Sequence, residues 1–312
     1  MSRNLDSAAL LAFVKLGRPK FLAGGLLLYG LGAVLAAVAG VRTDWSRYFW
    51  GQAVVSTTQL MTHYANDYFD LEADRVNTTP TRWSGGSRIL PSGQLAPRVA
   101  LTAALALAGC ALLSALLTAQ RARSAALVLP LSLLIVAFSW AYSAPPLRLL
   151  GRGLGELTTA LVVTLLTPLL GFYLQSEVIR WLPVLACLPL CGLQFSMLLT
   201  IELPDAASDA ALGKRTLVVR RGAEWAARCA AALVVVSYMG LPLFVLLGLP
   251  LPLAVAAMAL APLGVWHASR LLRGAFRDPG KWESLAACSV ALLAGTASAE
   301  LLGALWALIV KR

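Results

Sequence analysis

The sequence predicts an all-α, polytopic membrane protein of about nine transmembrane helices. Three observations predict it: composition, block length and block continuity. Of the 312 residues, 59% are hydrophobic and only 13% charged, whereas a soluble domain carries about 25% charged residues. Mean hydropathy is +0.74. The apolar residues fall in blocks of about 20, the length that crosses a hydrocarbon core about 30 Å thick. The blocks are continuously apolar rather than alternating, which selects helices over a β-barrel.

The blocks, in order, are Phe21–Val41, Tyr48–Ala65, Pro97–Gln120, Ser124–Ala144, Gly153–Gln175, Trp181–Ile201, Glu224–Gly248, Leu251–Leu272 and Leu285–Val310. The first follows Lys15, Arg18 and Lys20 and contains Ala37-Val38-Ala39, so it imitates a signal peptide. It exceeds the 7–15 residues of a signal h-region and is read as a retained span. The ninth is the least secure, because Lys311 and Arg312 place basic residues on the side where few others fall. The five cysteines (Cys110, Cys187, Cys191, Cys229, Cys288) lie within apolar blocks without zinc or disulfide spacing, and read as small buried hydrophobes.

The net charge of +11 could suggest nucleic acid, but its distribution excludes that partner. Eighteen of the 26 Lys and Arg residues occupy the N-terminus and the loops at 67–98, 145–152, 202–223 and 268–284. The opposite loops hold Arg42, Arg47, Arg121, Arg123 and Arg180. This asymmetry predicts a cytoplasmic N-terminus by the positive-inside rule.

Two acidic clusters end the second and sixth spans on the basic side. The first reads Asn66-Asp67-Tyr68-Phe69-Asp70-Leu71-Glu72-Ala73-Asp74. On a continuous helix, Asn66, Asp67, Asp70 and Asp74 share an arc of about 100°, and Glu72 points away. In the second, Glu202, Asp205 and Asp209 fall within about 80°, with Pro204 expected to bend or end the helix. Gln59 and His63 extend the stripe of Asp70 into the membrane, and Gln194 extends that of Asp205. The four spans between the clusters suggest a weak internal duplication within a single domain over 1–312, with halves near 15–145 and 150–312.

These clusters hold seven of the chain's fifteen acids. At roughly 2.5–3.5 kcal/mol per buried acid, seven would cost on the order of 20 kcal/mol in hydrocarbon. They must therefore face water, basic groups or metal. A solvated acidic loop would meet the requirement, but carboxylates one turn apart, twice, at one membrane face suit Mg²⁺. That ion takes one or two carboxylates and leaves positions for water and substrate phosphates. Arg82, Arg88, Arg148, Arg152, Lys214 and Arg215 could hold phosphate oxygens. Such a cavity inside a membrane fits an amphiphile with a diphosphate head and hydrocarbon tail, the chemistry of an isoprenyl diphosphate.

Asn66-Asp67-x-x-Asp70-x-x-x-Asp74, Asp205-x-x-x-Asp209 and Tyr142-Ser143-Ala144-Pro145-Pro146-Leu147-Arg148 closely resemble the motifs of the UbiA superfamily of intramembrane aromatic prenyltransferases. The resemblance spans nearly the whole chain. It implies a helical bundle around a central cavity open to the cytoplasmic side and to lipid. It also implies two Mg²⁺ ions bridging a polyprenyl diphosphate, one held by Asn66, Asp70 and Asp74, the other by Asp205 and Asp209. Arg148, with Lys214 or Arg215, would stabilise the leaving group, and Arg88 would contact the diphosphate. Tyr142 would stabilise the allylic cation or anchor the interface. Asp67 and Glu202 would face the cation or the aromatic acceptor.

Asp209-x-x-x-Gly213-Lys214-Arg215-Thr216-Leu217, Ser84-Gly85-Gly86-Ser87-Arg88 and Gly151-x-Gly153-Leu154-Gly155-Glu156 resemble the menaquinone branch. That branch prenylates 1,4-dihydroxy-2-naphthoate in a bacterial cell membrane. Glu202 departs from it, standing where an Asn is common. Asn77-Thr78-Thr79-Pro80-Thr81 replaces the Arg-Pro-rich stretch of the 4-hydroxybenzoate and archaeal ether-lipid branches.

His63 reads as a buried, hydrogen-bonded histidine ahead of a catalytic base. His267 receives no role. Glu300, a carboxylate inside the ninth span, reads as a partner of a neighbouring helix or a functional group. Asn77-Thr78-Thr79 is a glycosylation sequon on the wrong side of the membrane for use. A transporter is the rival from another class, and it would set its charges near the bilayer midplane. A CDP-alcohol phosphotransferase lacks its DGxxAR opening here, and a terpene cyclase on the same scaffold would need no acceptor.

Overall fold

The computed structural model describes residues 2–122 and 125–310, with side chains from residue 7 onward. Arg123, Ser124, Lys311 and Arg312 lie outside the described residues. Helix α1 (Ser2–Leu16) leads through a short 3-10 turn at Arg18 into α2 (Leu22–Val38). Helices α3 (Trp45–Phe69) and α4 (Leu71–Val76) carry the first acidic cluster. Then come α5 (Pro97–Arg121), α6 (Ala125–Ser143), α7 (Gly155–Leu161), a π-helical turn (Val162–Leu166) and α8 (Thr167–Ser176). Helices α9 (Leu182–Ile201), α10 (Ala206–Ala211) and α11 (Leu217–Arg221) carry the second cluster and its basic sequel. Helices α12 (Ala223–Met239), α13 (Leu241–Leu246), α14 (Leu251–Met258), α15 (Ala261–Leu272) and α16 (Pro279–Val310) complete the chain. No strand occurs among the described residues.

Among the described residues, seven helical stretches can cross a membrane by length and composition, or eight when α14 and α15, bent by 45°, count as one. The 25-residue α3 is long enough to supply the second of the nine spans expected from sequence, which brings the count to nine. Its apolar average is depressed by Gln52, Gln59, His63, Asn66 and Asp67. The first span starts earlier than expected, at Ser7 rather than Phe21, because α1 and α2 run on nearly without a break. Lipid replaces water around the bundle, so Met239, Leu246 and Leu251 lie exposed without penalty. Cys110, expected to be buried, is exposed on α5; Cys187 and Cys288 are buried, and all five thiols are free.

Helices α2, α3, α6, α7–α8, α9 and α16 pack around a central space, with α5 behind α3 and α6 and α12 behind α9. Where α2 meets α8 the backbones touch. A Cβ on Gly32 would stand 1.9 Å from the Pro168 carbonyl oxygen, and one on Gly171 would stand 2.3 Å from that of Tyr29. Only glycine permits that approach, which recurs between membrane helices. The candidate signal peptide is thus a core element. On the same wall, the Val162 carbonyl accepts both the Thr167 backbone N–H, as the π-turn requires, and the Thr167 hydroxyl at 2.8 Å.

The helical arc expected over residues 66–74 is not continuous. Helix α3 ends at Asp70, whose φ of −97° and ψ of 4° leave the α region. Helix α4 resumes at Leu71, and the Asp74 amide still bonds the Asp70 carbonyl at 2.9 Å. The offset is small enough that Asp70 and Asp74 keep a common face. Helix α9 ends at Ile201, three residues before Pro204, and α10 begins at Ala206, the break that the proline predicts. Both clusters therefore sit on a long helix followed by a six-residue one, and α4 and α10 touch.

Candidate active site

Two adjoining cavities occupy the centre of the bundle at the end where α4 and α10 meet. The polar one, about 140 Å³, is lined by Asn66, Asp70, Asp74, Asn77, Glu202, Asp205, Asp209 and Lys214. The other, about 250 Å³, runs down between the helices and is walled mainly by apolar groups and threonines, among them Val55, Thr58, Ile135, Val163 and Met197. Arg18, Asn66, Trp83, Tyr142, Leu198 and Ile201 belong to both, so the acidic mouth opens onto the greasy chamber.

Lys214 ties the two acidic clusters together. Its ammonium lies 2.7 Å from Asp70 Oδ1 and 3.2 Å from Asp209 Oδ1. One cation touching both holds the two carboxylates within about 6 Å of each other. A second tie crosses at Asp205. The Asn77 amide donates to Asp205 Oδ1 at 2.7 Å, and the Gly85 backbone N–H donates to Oδ2 at 3.1 Å. The segment after α4 therefore folds back over α10, and the Thr79 hydroxyl fastens it to the Pro204 carbonyl at 3.1 Å.

Asn66 spends both amide protons locally, on Asp70 Oδ2 at 2.6 Å and on Ser143 Oγ at 3.0 Å. Its carbonyl oxygen remains a ligand for a hard cation. Gly86 supplies the room around Asp74. At φ +72°, a Cβ there would stand 2.0 Å from Asp74 Oδ2.

The electrostatics record a deficit of positive charge. Burial pushes Asp74 up to about 7, and the Asp67 and Asp70 charges push the same way. Burial also pushes Asp205 up to about 6, with Asp209 adding to it, against the hydrogen bonds from Ser84, Asn77 and Gly85. Asp209 is raised as well, by burial first, despite Lys214. Burial works to lower Lys214, but Asp70 and Asp209 more than offset it and the ammonium is held above its usual range. Glu202 lies well above the carboxylate range because it is buried beside Glu156, and neither of its oxygens has a hydrogen-bond donor among the described residues. Oxygen donors that resist ionisation for want of a counter-charge fit divalent cations, which bring it. No three His, Cys, Asp or Glu side chains among the described residues form a closed metal cage.

A sequence model of the UbiA prenyltransferase family matches residues 26–293. The chain belongs to the UbiA prenyltransferase family. It is an integral membrane prenyltransferase. The 1,4-dihydroxy-2-naphthoate octaprenyltransferase of Mycobacterium tuberculosis is 27% identical over 269 residues, which cover 86% of this chain and 88% of that one. The protein of the same name from Bacillus subtilis is 26% identical over 226 residues, 72% of this chain and 70% of its own. Among solved structures, that of a digeranylgeranylglyceryl phosphate synthase aligns with a TM-score of 0.65 at 18% identity, over 96% of this chain and 99% of the other. A UbiA homologue from Archaeoglobus fulgidus, bound to GPP and Mg²⁺, aligns with a TM-score of 0.60 at 15% identity, over 93% and 99%.

Within this UbiA fold the structure brings Asn66, Asp70, Asp74, Asp205, Asp209, Lys214, Tyr142 and Glu202 to the cavities. It does not bring Asp67, Arg88, Arg148 or Arg215 there. Asp67 is buried in an ion pair with Arg18 and accepts from Ser87. Lying about 100° from Asn66 on α3, it faces the surrounding loops and not the cavity. Arg88 binds the backbone carbonyl of Asp74 from behind. Arg148 and Arg215 line neither cavity, and Arg148 and Arg88 sit at positive φ, 44° and 65°. Glu300 is buried without a hydrogen-bond partner for its carboxyl oxygens, and His267 likewise for its ring nitrogens, but neither lines these cavities.

Arg18, Asn77, Trp83 and Gly86 were not singled out for these roles from the sequence. Arg18 reaches the mouth from a turn at φ +48° and is fixed by Asp67. Trp83 closes the mouth between Phe21, at 6.1 Å between ring centroids, and the Lys20 ammonium, 4.6 Å from its ring. The Ser84-Gly85-Gly86-Ser87 run was the one visible sign of close packing in that loop.

Proposed function

We propose that this protein transfers the prenyl group of a polyprenyl diphosphate to an aromatic acceptor in a bacterial cell membrane. The acceptor best supported is 1,4-dihydroxy-2-naphthoate, which places the reaction in menaquinone biosynthesis. The observation that carries the reading is Lys214 joining Asp70 to Asp209 at the mouth of an apolar chamber. Both relatives named above as naphthoate prenyltransferases support the acceptor.

Asn66, Asp70 and Asp74 would hold one Mg²⁺, and Asp205 and Asp209 a second. When bound, the ions draw electron density from the diphosphate and make it a better leaving group. Lys214 and Arg18 face the same space and would hold diphosphate oxygens. The chamber takes the isoprenoid tail and keeps water from the allylic carbon as its bond to oxygen lengthens. Tyr142, at the junction of the two cavities, presents a ring to the positive charge that develops there. Glu202, which lines the polar cavity, would face the acceptor or the cation. The N-terminus and the acidic loops lie on the cytoplasmic side, where most basic loop residues fall.

The same reaction on 4-hydroxybenzoate, homogentisate or a glyceryl lipid is the alternative within the family. A transporter is the alternative outside it, and the position of the acids at one end of the bundle argues against it. The test is to incubate purified protein with a polyprenyl diphosphate and each acceptor, with Mg²⁺ or with chelator, and to identify products by mass spectrometry. Prenylated naphthol and free diphosphate, formed only with the metal, are expected. Preferential prenylation of another acceptor would overturn the naphthoate assignment, and translocation without a covalent product would overturn the reaction.

A further inference from the structure

His63 points to a further catalytic residue, one that the motifs do not mark. It projects from α3 into the chamber wall one helical turn before Asn66, about 4.5 Å deeper. Its Nδ1 lies 2.7 Å from the Gly17 carbonyl oxygen, and Phe21 meets the ring edge-on with centroids 5.9 Å apart. A carbonyl can only accept, so Nδ1 carries the proton and the neutral ring has its lone pair at Nε2. Nε2 has no protein partner among the described residues, while His63 lines the chamber. Arg18, the charged group facing the ring, is ion-paired with Asp67. A fixed tautomer, a braced ring and an open acceptor lone pair beside the acidic mouth form a proton-accepting site.

We propose that His63 Nε2 binds the acceptor's ring hydroxyl and takes its proton during transfer, a role that rests on the prenyl transfer proposed above. The hydroxyl proton passes to Nε2 as the adjacent ring carbon bonds the prenyl C1. The C1–O bond breaks, and its electron pair leaves on the diphosphate. The new tetrahedral carbon then loses its hydrogen as a proton to water, or its carboxyl group as CO₂. The electron pair released restores the aromatic ring, and His63 returns its proton to the ring oxygen.

His63→Asn tests this directly, because the Asn amide can still donate to the Gly17 carbonyl but offers nothing at the Nε2 position. The expected result is a kcat lower by about 10²–10³-fold with KM for the prenyl diphosphate unchanged. Acceptors with more acidic hydroxyls should lose less, and His63→Gln, whose carbonyl reaches the Nε2 position, should recover part of the hydrogen bond. Activity within threefold of the unaltered protein would overturn the proposal. So would an equal loss for every acceptor together with a raised KM, which is the mark of a structural role. If the variants do not fold, the unaltered protein still decides. Its kcat should depend on acceptor hydroxyl pKa and slow in D₂O, and a flat response to both would overturn the proposal. No product from any acceptor would instead overturn the reaction on which it rests, and the proposal with it.

Discussion

Gly86→Ala isolates the placement of a single carboxylate without changing any charge. The added Cβ would stand 2.0 Å from Asp74 Oδ2. Real contacts of that kind stay beyond 3.0 Å, so the carboxylate must retreat by about 1 Å or the loop must move. Burial and the neighbouring acids already crowd Asp74, and its backbone is held through Arg88, so the side chain yields. A misplacement of about 1 Å at a reacting centre can lower turnover about 10²-fold. Alanine at φ +72° adds backbone strain of about 1–2 kcal/mol. Gly93→Ala supplies the control, for it has the same φ, +73°, and nothing within 4 Å of its added Cβ. Both variants should melt a few degrees lower. Only Gly86→Ala should lose turnover by about 10²-fold and need more Mg²⁺ for half-saturation, measured in steady-state assays across a metal titration. Equal turnover in the two variants would refute the placement of Asp74 beside the metal.

The shifted carboxylates also fix the sign of a pH effect. Asp74 at about 7 and Asp205 at about 6 keep protons that the unfolded chain releases near 3.8, so the metal-free protein should lose stability as pH rises from 4 to 7. Thermal unfolding in detergent with chelator should show the decline, and Mg²⁺ half-saturation should improve from pH 6 to 8; stability that rises over pH 4–7 would contradict the charge deficit. Lys214→Met should raise KM for the prenyl diphosphate about 10–100-fold, whereas Arg88→Met, which loses a charged hydrogen bond to the Asp74 carbonyl, should lower stability by about 1.5–3 kcal/mol and leave that KM unchanged. Asp70→Asn and Asp205→Asn should abolish turnover in protein that still elutes as a folded species, and near-normal activity would discredit them as metal ligands.

The fold was legible because a bilayer leaves a sequence little choice: apolar runs of about 20 residues must be helices. The acids were legible because Asp70, Asp74, Asp205 and Asp209 recur one turn apart at the ends of two apolar helices, where they must face water, basic groups or metal. The residues that complete the site depend on the path of the chain. Arg18 meets Asp67 across 49 positions, and Asn77 meets Asp205 across 128. No local pattern announces either pair. Arg88, Arg148 and Arg215 show the converse: the resemblance implied diphosphate contacts for them, and none lines either cavity. Arg88 and Arg148 both sit at positive φ, which the sequence does not announce. The polar residues of α3 lower its mean hydropathy below that of the other spans, yet the block Tyr48–Ala65 still reads as one in the sequence.

The most direct measurement is a structure with a polyprenyl diphosphate and Mn²⁺ in place of Mg²⁺, with the manganese located by its anomalous scattering. The account requires two peaks, one beside Asn66, Asp70 and Asp74 and one beside Asp205 and Asp209, both touching a single diphosphate whose tail enters the chamber below. Metal at one cluster alone, or a diphosphate bound outside the mouth that Lys214 spans, would contradict it.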